Sequence, residues 1–299
     1  MLNLSVPDLI NYEDNIHAAF SGAGPSLIYD DVFIGRYYEY LQGRGVDLAK
    51  LNVEDLRKHH LVLADENGTQ RDSHTIYKSL VFDTTLDGTS FHLCEGNWYT
   101  TEDDYISRLE HYLDPLCVDM TLPPYAHTGE GAYNQSAAAA DDSLVCLDTT
   151  NISPKGQTEI EPCDLYSVSE GCAVFQHVKI STLSSRLSHL FNQGTNAIEL
   201  IRLEEEALSN LKELIGERVS PAVYEKMVAP LDAQRHRVDF VIITHKAGTN
   251  KSRNLPLFSR ISLSRNLKAL QVRGVKGHYG FVADKSPKTA GVKKQRKTI

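Results

Sequence analysis

Two short stretches hold the side chains best suited to chemistry: Glu161-Pro162-Cys163-Asp164 and Gln176-His177-Val178-Lys179, with a Ser/Leu-rich segment directly after. Apolar residues on either side of Ser169-Glu170-Gly171 predict a hairpin, Ile160 to Val168 against Cys172 to Ile180. Asp164 then falls on one strand and Lys179 on the next. An acid and a lysine so placed suit phosphodiester hydrolysis. That reaction needs a divalent cation to polarise phosphate, an activated water, and positive charge against the developing oxyanion. Asp164 is the expected central ligand for Mg2+ or Mn2+, which take carboxylate and carbonyl oxygens. The backbone carbonyl of Val178 is a second expected ligand, and Lys179 the group that orients or deprotonates water. His177 and Lys179 lie two apart, so a strand sends both side chains to one face and makes His177 a further catalytic candidate.

Other candidates come from the flanking helices. Glu130-Gly131-Ala132-Tyr133-Asn134 leads into Gln135-Ser136 and four alanines, a strong helix former, and Glu130 would bring a second carboxylate to the metal. A helix from about Thr182 to Gln193 follows the hairpin. Its Ser184, Ser185, Arg186 and His189 are expected phosphate contacts, joined by Arg260 and Arg265 further on. The plain alternative is a surface Asp and Lys on an edge hairpin, with His177 a satisfied structural histidine. His177 stands where nucleases of this kind carry Glu or Asp. Three readings follow: manganese is better tolerated, ligation shifts to Glu130, or the site only binds nucleic acid.

The elements that must position these residues divide near Pro115. Before it, Asp31 to Leu41 and Val53 to His59 read as short helices, and Tyr77 to Leu86 with Ser90 to Glu95 as a hairpin turned by Asp87-Gly88. A helix opens after Thr100-Thr101 and runs through Leu113. Trp98 is expected as a core anchor. After Pro115 come the helix at Glu130, a strand over Ser143 to Asp148, the hairpin, the helix stopped by Gly194, and a helix over Ala197 to Ile215. A strand over Arg237 to Thr244, a helix over Ser262 to Val272 and a strand around His278 to Val282 complete the pattern. The expected fold is α/β (α+β). A mixed β-sheet flanked by helices forms the core over 116–284, beside a smaller N-terminal α+β module over 1–115. Residues 285–299 are predicted to be a basic, disordered tail.

Composition narrows the class. The 299 residues are 41% hydrophobic and 23% charged, which fits a folded globular protein rather than a disordered one. No apolar run approaches bilayer length, so no membrane partner is expected. The 5 cysteines form no C-x-x-C pair, and no secretory signal is visible, which predicts a reducing cytoplasm. Cys163 and Cys172 are expected to be buried as small hydrophobes. The net charge of −8 conceals an asymmetry: residues 246–299 hold 14 Lys/Arg against Asp284 alone, or +13, leaving −21 on the rest. A basic segment on an acidic body is the electrostatic footprint expected of a nucleic-acid partner.

Several stretches resemble a sporadically distributed, uncharacterised bacterial family found near restriction-modification and phage-defence genes. They are Tyr77 to Asp83, Glu95 to Tyr99, Glu130 to Asn134, Asp164 with His177-Val178-Lys179, Ser184 to Gly194, and Leu255 to Leu263. The match runs from about residue 3 to 282, and in that family the His-Val-Lys also carries His. The acid, His-x-Lys and upstream Glu resemble a PD-(D/E)xK site in a restriction-endonuclease-like core. Together these imply a metal-dependent nuclease acting on DNA ahead of RNA, in anti-phage defence or restriction of foreign DNA. A homo-oligomer or a defence-system partner protein is the implied assembly. The alternative is a catalytically inactive nucleic-acid-binding sensor or adaptor, and a third reading is a protein-interaction role for the acidic body.

Overall fold

A computed structural model describes residues 2–4, 17–24, 27–29, 34–64, 70–87, 89–101, 103–127, 129–180, 184–286 and 297–298. The starts of the helices expected at Asp31 and Thr182 lie outside these residues, as does the tail over 287–296. The chain forms two compact units, Met1–Ser107 together with Thr289–Ile299, and Arg108–Lys288.

The first unit is a small α+β body. Strands β1 (Leu2–Leu4), β2 (His17–Ser21) and β3 (Leu27–Ile28) precede helices α1 (Ile34–Gly43) and α2 (Val53–Lys58). Strands β4 (His60–Ala64) and β5 (Gln70–Thr75), helix α3 (Ile76–Ser79) and strands β6 (Leu80–Leu86), β7 (Thr89–Cys94) and β8 (Asn97–Thr101) follow. They make a sheet ordered β1-β6-β7-β8 and another ordered β2-β4-β5, while β3 pairs antiparallel with Lys297–Thr298, so that this part of the tail expected to be disordered is strand. Leu4, Phe20, Tyr37, Leu41, Leu61, Ile76 and Leu93 fill its core. Asn52 caps α2 reciprocally with Asp55. Two expectations change here. Tyr77 to Ser79 form a helical turn instead of strand, because the Thr75 hydroxyl accepts the Lys78 N–H at 3.2 Å. Trp98 is 50% exposed, since it lies on the edge strand β8, where it meets the Phe82 ring edge-on.

Helix α4 (Asp103–Leu113) leads to the second unit, an α/β arrangement around one mixed sheet. Its elements are α5 (Glu130–Ala140), β9 (Leu144–Cys146), β10 (Leu165–Ser169), β11 (Cys172–Ile180), α6 (Ser184–Leu203), α7 (Glu205–Gly216), α8 (Pro221–Asp232), β12 (His236–Thr244), α9 (Leu257–Val272) and β13 (Lys276–Ala283). The sheet runs β13-β12-β11-β10-β9. Strands β9, β10 and β11 form an antiparallel meander, while β12 and β13 add parallel strands through helical crossovers. Phe175, Val238, Phe240 and Ile242 pack beneath the helices of the first crossover and α9. On the opposite face Val178, Val241, Ile243 and Val282 lie under Tyr133 and Ala137 of α5.

Helix α6 runs through Gly194 to Leu203 and does not stop at it. A Cβ at Gly194 would come within 2.7 Å of the Phe240 ring, 3.0 Å of His177 Cδ2 and 3.1 Å of Val238 Cγ1. The glycine therefore serves close approach of helix to sheet and not termination. The break falls at Glu204, whose backbone is extended, and the acids Glu205 and Glu206 open α7. Helix α8, absent from the sequence reading, begins with Pro221 in its first turn.

Candidate functional site

Strand β11 is longer than its antiparallel neighbour. Pairing with β10 ends at Leu165↔Gln176, so His177 to Ile180 extend past it, while β12 continues alongside as far as Ile180↔Ile243. The exposed edge of this overhang has backbone N–H groups that need acceptors. Two carboxylates supply them. The Val178 N–H donates to Asp164 Oδ2 at 2.7 Å, and the Ile180 N–H donates to Glu130 Oε1 at 2.9 Å. Glu130 Oε2 also accepts from Lys179 Nζ at 2.7 Å. Helix α5, the start of β10 and the end of β11 thus bring Glu130, Asp164 and Lys179 to one end of the sheet. In a strand the N–H and C=O of one residue face the same edge, so the Val178 carbonyl is turned toward this cluster as well.

More acids gather there than the motif names. Asp148 follows β9, and Glu161 precedes β10. Asp148, Glu161 and Asp164 each place a ligand oxygen within 4.8 Å of the others, all three residues being half-buried. Asn134, one helical turn after Glu130 and on the same face of α5, is fully buried. Its Nδ2 donates to Asp148 Oδ2 at 3.1 Å and to Asp164 Oδ1 at 3.2 Å. The Glu161 carboxylate accepts from the Thr149 N–H. Close approach of α5 to Asp148 is eased by Gly131, where a Cβ would stand 3.2 Å from Asp148 Oδ2. Burial raises the Asp164 carboxyl to about 7, with Asp148 and Glu130 adding to the rise and the Val178 N–H and Lys179 opposing it.

His177 does not join this group. Its side chain is 3% exposed and packs against the Phe240 ring at 6.2 Å between centroids, beside Gly194 of α6. Its Nε2 has no hydrogen-bond partner, and burial lowers its pKa to about 3. The imidazole is neutral core material. Strand alternation sends the first part of Lys179 the same way, but its long stem at the strand end returns the amine to Glu130.

Among the expected phosphate contacts, Ser184 and Ser185 open α6 with side chains outside the described residues. Arg186 and His189 are half-buried on its first turns. Arg265 is exposed on α9. Arg260 pairs with Glu110 at 3.2 Å and is only 14% exposed, so it is taken up by the fold. Much of the basic segment is used similarly. Arg253 pairs with Glu110 at 3.0 Å, Arg273 with Glu199 at 3.1 Å, and Lys246 Nζ donates to the Asn254 carbonyl at 2.7 Å. Cys163 is buried as expected, whereas Cys172 is half-exposed. No helix among the described residues is long and apolar enough to cross a membrane.

Asp148, Glu161 and Asn134 were each within reach of the sequence. Asp148 ends the predicted strand, Glu161 stands three residues before Asp164, and Asn134 lies four after Glu130 on a predicted helix. What hid them was the loop of residues 147–164, whose path no periodicity specifies.

The site therefore defines an α+β protein with an acidic cluster and one lysine at the end of a mixed sheet. Over residues 1–283 the chain matches a family of unknown function, DUF6119, and it belongs to that family. No curated protein and no solved structure matches it.

Proposed function

We propose that the protein is a metal-dependent nuclease that hydrolyses phosphodiester bonds, of DNA ahead of RNA, in restriction of foreign DNA or anti-phage defence. The observation that carries this reading is the convergence of Glu130, Asp164 and Lys179 where β11 overhangs β10. The order of parts supports it too: a helix bearing an acid, a hairpin bearing Asp and Lys, then a helix, as in a restriction-endonuclease-like core. A bound Mg2+ or Mn2+ would supply Lewis-acid polarisation of the phosphate and a more acidic water. The oxygens that converge with that of Asp164 belong to the carboxylates Asp148 and Glu161, and such a set fits a hard cation. Glu130 holds the Lys179 amine beside the acids, where it is placed to donate to a phosphate oxygen or to orient water. Lys251, Arg265, Lys276 and Lys285 are exposed and would add sequence-independent attraction for the backbone of a nucleic acid. A cytoplasmic location and a defence-system partner or second copy belong to the same reading.

One observation favours the second reading, an inactive nucleic-acid-binding sensor or adaptor. Both Glu130 oxygens are already engaged, by Lys179 and by the Ile180 N–H. Plasmid DNA and single-stranded RNA incubated with Mg2+ or Mn2+ separate the two. The nuclease reading expects cleavage that falls at least about 100-fold in Asp164→Asn and in Lys179→Met, the scale of a lost acid–base group. Salt-sensitive binding without turnover in any metal would favour the sensor, and undiminished cleavage in both variants would refute the site.

A further inference from the structure

Which residues would hold a cation is not settled by the motif, because Glu130 is committed elsewhere. It is not among the carboxylates whose oxygens converge, and its two oxygens hold the Lys179 amine and the Ile180 N–H, so it acts as a positioning group. The three oxygens that do converge belong to Asp148, Glu161 and Asp164, within 4.8 Å of one another. Oxygens bound to one ion at about 2.0–2.6 Å lie at most roughly 4–5 Å apart, so the spacing suits a single shared hard cation.

Asn134 gives an independent indication. It is fully buried, and it places its amide between Asp148 and Asp164. Its Nδ2 serves both acids, yet its Oδ1 is buried without a hydrogen-bond partner. An orphaned buried carbonyl is costly and calls for an explanation. Exchanging the two ends of the amide would turn that oxygen onto the acids. A positive charge between them, a bound cation above all, would make such a cluster of oxygens favourable. In the arrangement seen, the NH2 group bridges two like charges as a neutral substitute.

We infer that Asp148, Glu161 and Asp164 form a divalent-cation site, that Asn134 is its positioning residue, and that Glu130 is not a ligand. The inference deepens the nuclease reading and rests on it only for the use to which the cation is put. The carboxylate set selects Mg2+, Mn2+ or Ca2+ over softer metals.

The full chain titrated with Mn2+, followed by the loss of the free-ion electron paramagnetic resonance signal, tests it. Wild type should bind one Mn2+ in competition with Mg2+. Asp148→Asn, Glu161→Gln and Asp164→Asn should each weaken binding at least about tenfold, in line with loss of a ligand or its support. Glu130→Gln should stay within about threefold. Asn134→Leu should bind Mn2+ more weakly. Asn134→Asp should unfold at a lower temperature in chelator and gain more than wild type from added Mn2+, a reversal of sign that a purely structural role would not give. Absence of Mn2+ binding to wild type overturns the site, and loss in Glu130→Gln equal to that in Glu161→Gln overturns the ligand set. Binding without cleavage removes the nuclease reading and leaves this site standing. Chelator-sensitive cleavage without binding to the three acids does the reverse.

Discussion

Replacing His177 with leucine separates a catalytic histidine from a core one. The ring is 3% exposed and packs on Phe240, and burial lowers its pKa from 6.5 to about 3. The unfolded chain takes up a proton as pH falls below about 6.5, whereas the folded protein resists until about 3. The stability contributed by the neutral ring is therefore complete above pH 6.5 and is lost on acidification, at about 1.4 kcal/mol per pH unit. At pH 5 that loss is about 2 kcal/mol. His236, also buried and lowered to about 4, acts in the same direction. Asp164, raised to about 7, acts in the opposite one, so the wild-type curve alone identifies nothing. The difference between wild type and His177→Leu isolates the single ring. Urea unfolding followed by circular dichroism should show wild type losing about 2 kcal/mol more than the variant between pH 7.5 and 5. Any metal-dependent cleavage should be retained within a few-fold. Parallel pH curves, or a stable variant with cleavage abolished, would refute the placement of His177 in the core.

Two further substitutions probe the scaffold around the site. Gly194→Ala forces a Cβ against Phe240, His177 and Val238, and should destabilise by about 1–2 kcal/mol in urea titration once the gain in helix propensity is deducted; a stabilised variant would mean that α6 does not press on β12. Lys179→Met, Glu130→Gln and the double variant form a cycle whose coupling should be about 0.5–1 kcal/mol at low salt, shrinking at high salt, since both side chains are about a quarter exposed. Zero coupling at low salt would mean that the pair is not held.

The sequence revealed most where chemistry and periodicity coincide. Near-continuous apolar runs marked β11 and β12, the alanine run marked α5, and Ser169-Glu170-Gly171 marked a turn with Glu170 and Gly171 both at positive φ. Helix α5 carries Glu130, β11 carries Lys179 and Asp164 stands just before β10, so their meeting was legible. Less legible was anything decided by contact across the chain. Gly194 reads as a stop because helices often end at glycine, but tertiary packing overrides that local rule. His177 shares a strand face with Lys179, and alternation alone cannot tell that the strand end lets only the longer side chain turn back. Helix α8 had its signal, Ser220-Pro221 at the N-terminus, but Pro230 within it weakens the helical pattern. The basic C-terminal segment looked like a free handle for substrate. Charge counts do not show that Arg253, Arg260 and Arg273 already have acidic partners within the fold.

On the proposed function Asp164 has two tasks, and one substitution separates them. As an edge cap it needs only an oxygen for the Val178 N–H, which an asparagine also provides. The new NH2 group would face Asn134 Nδ2, and turning that amide to accept from it gives up the hydrogen bond to Asp148, which offsets part of the gain. As a ligand it needs its charge. Between pH 4 and 7 the folded protein holds a proton on Asp164 that the unfolded chain has released, so this residue makes stability fall as pH rises. Asp164→Asn removes that penalty. Because Asp164 keeps some solvent access, the gain at pH 8 should be a fraction of the full linkage, about 1–2 kcal/mol in urea titration without divalent cation. Added Mn2+ should then stabilise wild type but not the variant. A carboxylate kept where an amide is more stable marks a site in which stability has yielded to function. If Asp164→Asn is instead less stable at pH 8 in chelator, the carboxylate is there for the fold, and the case for chemistry at this edge fails.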